Sequence, residues 1–193
     1  TVWAWGSNFL GQLGDGTTGQ RSIPVQVNGL AGVVGVSRGY HCSLAVKNDG
    51  RVWAWGWNGF GQLGDGTTTS QSTPVQVGGI SNVVVAAAGY EHSLAVKSDG
   101  TIWVWGGNSL GQLGEGTTVL RRSAEQINGL SGVAAVATGE FHSAAVKSDG
   151  TVWAWGLNSL GQLGDGSFTD RSTPAHVSGL TGVVSVAAGT AHS

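Results

Sequence analysis

The chain repeats itself every fifty residues. Trp3-Ala4-Trp5-Gly6 returns as Trp53-Ala54-Trp55-Gly56, Trp103-Val104-Trp105-Gly106 and Trp153-Ala154-Trp155-Gly156. Gly11-Gln12-Leu13-Gly14-Asp15-Gly16 recurs in register from Gly61, from Gly111 with Glu115 replacing the aspartate, and from Gly161. A period of this size marks one supersecondary unit copied in tandem, each copy burying its apolar face on the next. The repeats run approximately 1–50, 51–100, 101–150 and 151–193, and they read as a single domain over 1–193.

Composition narrows the function classes. Gly makes up 35 of 193 residues, far above the usual ~7%. The glycines keep fixed offsets in each copy, so they mark ordered turns rather than linker. Net charge is -2 with no run of Lys or Arg, which removes the electrostatic footprint of a nucleic-acid binder or an anionic membrane binder. Cys42 is the single cysteine, so no intrachain disulfide framework is possible. No stretch has the ~18 apolar residues of a membrane-spanning helix. A soluble protein is expected, with a secreted or bacterial cell-surface setting favoured over the cytoplasm.

One copy reads as four strands. Val83–Ala87 and Ser93–Lys97 are short apolar runs, and Ser98-Asp99-Gly100 is a tight hairpin signal. Thr101–Trp105 is the third run, and Glu125-Gln126-Ile127 follows a long polar, Gly-rich segment as a short fourth. No window has the i, i+3, i+4 spacing of an amphipathic helix. The strands are apolar on both faces: Trp103 and Trp105 share one, Ile102 and Val104 the other. A sheet buried on both sides needs neighbours on both sides, and radial stacking supplies them. The fold class expected is therefore all-β, a β-propeller built from four-stranded repeats. The small first strands, such as Ala86-Ala87 and Ala134-Ala135, should line the axis. Trp3, Trp5, Trp53, Trp55, Trp103, Trp105, Trp153 and Trp155 should fill the wider gaps between blades as core.

The string Trp-X-Trp-Gly-X-Asn-X-X-Gly-Gln-Leu-Gly-Asp-Gly-Thr-Thr, with Gly-X-X-His-Ser-Leu-Ala-Val upstream, resembles the regulator-of-chromosome-condensation repeat. The resemblance covers the whole chain and implies a propeller that is seven-bladed in known members. Three whole blades are expected at about 33–77, 83–127 and 133–177. A third strand at Val2–Trp5 and a first strand at Val183–Ala187 should flank them. The expectation is a part of a larger propeller, or a chain that completes a ring by self-association.

Chemistry-bearing patterns mostly dissolve into the repeat. Gly59-Phe60-Gly61-Gln62-Leu63-Gly64 matches a dinucleotide-binding fingerprint, but no helix follows it. His92, His142 and His192 occupy one equivalent position, with Cys42 there in the first copy. They read as structural residues bonded to a neighbouring blade's backbone. Asp15, Asp65, Glu115 and Asp165 read as turn-stabilising acids. Ser, His and Asp recur in every copy, unlike a catalytic triad. No catalytic, cofactor-binding or metal-ligating residue is assigned.

Differences between copies carry more information. The long loop varies (Gly19–Ile23, Thr69–Thr73, Val119–Ser123, Phe168–Ser172), and so does the turn before the second strand (Tyr40-His41, Tyr90-Glu91, Glu140-Phe141, Thr190-Ala191). Rigid sheets carrying variable loops suit recognition. Candidate binding residues are Tyr40, His41, Tyr90, Glu91, Glu140, Phe141, Arg121 and Arg122. The expected function is a non-enzymatic protein–protein interaction scaffold, binding a protein partner through one rim without a cofactor. The resemblance implies two alternatives: nucleotide exchange on a small GTPase, and β-lactamase inhibition. A carbohydrate-binding or enzymatic propeller is less favoured. Photoreception as in the plant relatives is disfavoured, because no Trp or Arg stands in the turns after Gly39, Gly89, Gly139 and Gly189.

Overall fold

The Asp-Gly turns set the first local pairing. Gly50, Gly100 and Gly150 sit at φ +74°, +74° and +79°, a region that a residue with a Cβ enters at a cost. Each donates its N–H to the lysine carbonyl three residues back, at 2.9 Å. The computed structural model describes residues 1–193, and every regular element in it is a strand. β1 (Trp3–Gly6) and β2 (Arg21–Gln26) form a two-stranded sheet. β3 (Val33–Arg38), β4 (Cys42–Lys47), β5 (Val52–Gly56) and β6 (Gln71–Gln76) form the first complete blade. The second comprises β7 (Val83–Ala88), β8 (His92–Lys97), β9 (Ile102–Gly106) and β10 (Arg121–Gln126). The third comprises β11 (Val133–Thr138), β12 (His142–Lys147), β13 (Val152–Gly156) and β14 (Arg171–Val177).

Each blade is an antiparallel meander in chain order. The first strands β3, β7 and β11 contact one another in succession, and Ala88 donates its N–H to Ser37 Oγ across that gap at 3.1 Å. Small side chains permit this convergence at the axis. The sheets form an open arc. The core lies between blades: Leu44, Val46, Val52 and Ala54 of one pack with Ala95 and Trp105 of the next. Leu94, Val96, Ile102 and Val104 pack in turn with Ala145 and Trp155.

Three expectations need correction. The fourth strand is longer than the short run at 125–127: β10 starts at Arg121 and carries a register shift between Arg121 and Glu125. Part of the variable segment therefore belongs to the outermost strand, where packing constrains sequence least. Residues 183–187 form no ladder, because no second strand lies alongside them.

The tryptophans also divide into three environments. Trp55, Trp105 and Trp155 are buried, at 2%, 0% and 0% exposure. Trp53, Trp103 and Trp153 are half-buried, with Lys47 and Lys97 lying 5.8 and 5.4 Å from the Trp53 and Trp103 ring centres. Trp3 and Trp5 are exposed, at 55% and 63%. The second tryptophan of each pair points toward the preceding blade, and no blade stands on that side of β1.

Candidate functional site

One rim is built from two kinds of connection, the turn from first to second strand and the long loop from third to fourth. The long loop is held by a buried asparagine. Asn58 Oδ1 accepts from Leu63 N at 2.9 Å. Its Nδ2 faces Asp65 Oδ1, Thr67 O and Thr69 O at 3.1–3.2 Å. Asn8, Asn108 and Asn158 repeat the arrangement, and all four are 0–1% exposed. Asp15 adds an ion pair with Arg21 at 2.8 Å. Burial opposes ionisation of Asp15, but the Thr17 hydroxyl, the Arg21 guanidinium and the Thr17 N–H outweigh it and hold its carboxyl at about 2.

The loop also locks the next blade. The Gln62 carbonyl accepts from Trp105 Nε1 and from Ser93 Oγ, both at 2.9 Å. Gln12 serves Trp55 and Ser43 likewise, and Gln112 serves Trp155 and Ser143. The histidines join this network through a hydroxyl rather than a backbone group: His92 Nε2 lies 2.9 Å from Ser143 Oγ, and His142 Nε2 lies 2.9 Å from Ser193 Oγ. Ser143 spends its only proton on the Gln112 carbonyl. His92 must therefore donate from Nε2 and leave Nδ1 bare, and Nδ1 indeed has no partner. Burial keeps His92 neutral, with its pKa pushed down to about 3. Cys42 is buried without such a link, and burial pushes its thiol up to about 12.

On this frame the turn residues converge. Tyr40 meets His41 and Tyr90 with ring centres 4.5 and 5.0 Å apart. Tyr90 lies 5.8 Å from Phe141. Sequence reasoning missed two members of the group. Trp57 packs edge-on against His41 at 5.8 Å, Phe60 at 5.4 Å and Tyr90 at 6.1 Å. The signal was present, since the residue after the third strand reads Ser7, Trp57, Gly107 and Leu157. Tyr40 is 70% exposed, and the others are half-buried. Beside the cluster, at the axis end, lies a recess of about 510 Å³ lined by Arg38, Tyr40, Tyr90, Glu140 and glycine backbone. Glu91, at 9% exposure, sits under this rim. Burial and the nearby Glu140 carboxylate raise its pKa.

Arg121 and Arg122 do not join the cluster. Both line a separate shallow depression with Val119, Leu120 and Glu125. Arg121 is committed to Glu115 at 2.9 Å and Glu125 at 3.1 Å. The Arg122 carbonyl accepts from Gly66 N at 2.9 Å, a contact between blades.

The family model described as RCC1-like domain matches residues 1–193. The chain belongs to that family. Among solved structures, the RCC1-like chain is similar to human WBSCR16, with 30% identity and a TM-score of 0.89 over 98% of this chain and 51% of that one. It is also similar to yeast RCC1 (Prp20) in its structure bound to Kap60. That match has 25% identity and a TM-score of 0.81 over 91% of this chain and 44% of that one. Prp20p from Saccharomyces cerevisiae, in a structure described with its binding to Gsp1p and histones, shares the fold at 24% identity and TM-score 0.75. It is matched over 91% of this chain and 46% of its own. The RCC1-like chain thus spans about half the length of these solved relatives. Comparison with curated protein sequences finds no match.

Proposed function

We propose that this RCC1-like chain is a non-enzymatic protein-interaction module that docks a partner through its aromatic rim. The observation that carries this reading is the continuous cluster Tyr40, His41, Trp57, Phe60, Tyr90 and Phe141. Tyr and Trp on rigid turns give large contact area at little entropic cost, as interface anchors require. The loops beneath are pinned by buried asparagines, so the surface is preorganised. The relatives support a protein partner: yeast RCC1 is solved bound to Kap60, and Prp20p is described as binding Gsp1p and histones. Guanine-nucleotide exchange on a small GTPase is the second reading, and family membership favours it.

The test compares captured proteins, by quantitative mass spectrometry, for three forms of the chain. These are the unaltered form, the triple variant Tyr40→Ala/Trp57→Ala/Tyr90→Ala, and a control altered in the opposite-rim hairpins (Asp49→Ser/Asp99→Ser/Asp149→Ser). A partner lost only by the aromatic triple supports the rim reading. Equal capture by all three sinks it. Faster release of labelled GDP from a captured GTPase establishes the second reading.

A further inference from the structure

One rim aromatic owes its place to a bare position on its own loop. The residue three places after the third strand reads Phe9, Gly59, Ser109 and Ser159 in the four copies. The residue directly after that strand reads Ser7, Trp57, Gly107 and Leu157. Glycine thus stands at the later position only in the copy that carries the tryptophan. Backbone conformation does not require it: the φ of Gly59 lies outside the left-handed region, and the other three copies carry a side chain there. What requires it is the indole. A Cβ at position 59 would lie 2.8 Å from Trp57 Cζ2 and 2.9 Å from Cε2 and Nε1, whereas carbon atoms in contact keep ~3.5–4.0 Å apart. The Nε1–Cε2–Cζ2 edge of the ring therefore lies over the bare Gly59 Cα.

That placement brings the indole to three other rings. Trp57 meets His41 at an interplanar angle of 87°, Phe60 at 90° and Tyr90 at 69°. Phe60 touches no other ring of the cluster, so it joins the rim through Trp57. Tyr90 comes from the next blade. The backbone on both sides of the contact is held: Trp57 N donates to His41 O at 2.9 Å, and the buried Asn58 accepts from Leu63 N at 2.9 Å. Gly59 is exposed and Trp57 half-buried, so the side chain yields more easily than the loop. A Cβ at position 59 would push the indole away from its three neighbours. The fourth copy combines Ser159 with Leu157, whose shorter side chain leaves room for a Cβ.

We propose that Gly59 is a positioning residue of the aromatic rim. By carrying no side chain it lets Trp57 lie across the loop, close on Tyr90 of the next blade and bring Phe60 into the surface. The proposal rests on the rim reading for its part in binding and adds to it a rule of two positions. Residues 57 and 59 together decide whether a copy of the repeat contributes an anchor.

The test follows the Trp57 indole by NMR, its N–H signal assigned through Trp57→Phe. Gly59→Ala should shift that signal and abolish the Trp57 cross-peaks to the His41 and Tyr90 rings, with the other indole signals and the sheet amides unchanged. In a Trp57→Leu background the same Gly59→Ala change should leave the Tyr90 ring signals unmoved, since no indole overlies position 59; coupled residues show this non-additivity. Retained contact between Trp57 and Tyr90 in Gly59→Ala would overturn the proposal, as would an equal Tyr90 shift in both backgrounds. Partner capture separates the two levels. Gly59→Ala should weaken capture about tenfold or more, as loss of an anchor does. If the aromatic triple loses its partner while Gly59→Ala retains it, the rim stands and the positioning role fails. If the triple retains its partner, the rim reading fails, and the indole contacts alone decide whether Gly59 seats Trp57.

Discussion

At the scale of single residues, identical tryptophans have different energetic weight. Trp105 is fully buried and bonded to Gln62 O, whereas Trp103 is half-buried with its indole N–H unpartnered. Trp105→Ala should cost about 3–5 kcal/mol in urea unfolding, and Trp103→Ala about 1–2 kcal/mol. Equal costs would mean that the pair acts as one unit. His92 gives a pH dependence of known sign. Its folded pKa of about 3 lies below the ordinary 6.5, so the unfolded chain takes up the proton first as pH falls. The stability is intact above pH 6.5 and is lost as pH drops from there toward about 3, at up to ~1.4 kcal/mol per pH unit for this site. Unfolding midpoints of the unaltered chain and of His92→Gln should converge over that window. The exposure of Trp5 was not legible in sequence, because Trp5 and Trp55 sit in the same string. Only the neighbouring sheet distinguishes them.

At the scale of elements, strand order and blade boundaries were readable from period and alternation. The three blades fall at 33–76, 83–126 and 133–177, close to where the hydrophobic runs put them. The loops were less readable. Asn58 looks like an ordinary loop residue, yet it is 0% exposed and organises twelve residues of chain, from 58 to 69. A buried amide facing four acceptors is a tertiary fact that no local pattern announces. Asn58→Ala should leave Leu63 N unsatisfied and cost about 2–3 kcal/mol. Hydrogen exchange should rise across 58–69 before the sheets respond. Blade contacts also suggest a gain. Cys42 stands where His92 and His142 stand, and Ser93 already donates to Gln62 O at 2.9 Å. Cys42→His should supply the missing Nε2–H donor to Ser93 and raise stability by about 0.5–1.5 kcal/mol in the same unfolding assay. Trp57 carries little signal as a rim residue in sequence, because it directly follows β5 and lies outside both the first turn and the variable part of the long loop.

At the scale of the whole molecule, the contacts run one way. Every long loop offers a carbonyl forward, and every following sheet brings a tryptophan and a serine to it. Neighbouring blades are thus coupled in series, and energetics of this kind are approximately nearest-neighbour sums. Trp105→Ala and Trp155→Ala act at separate junctions. Their costs should add within about 0.5 kcal/mol in the double variant, and a clear excess would reveal coupling through the intervening sheet. The rim aromatics, in contrast, come from all three complete blades: Tyr40, His41, Trp57 and Phe60 from the first, Tyr90 from the second and Phe141 from the third. A surface of that kind exists only once blades are docked, which is why its membership could be read in part from the turns but not its continuity.

The directionality has a consequence for descent. Each fifty-residue copy carries a socket on one side and a plug on the other, so an inserted copy brings as many of each as it uses. Unequal crossing-over can therefore lengthen or shorten the gene by whole copies without any new complementarity having to arise by point mutation. Selection is left free to act on the few turn codons that differ, such as those for Trp57, Gly107 and Leu157.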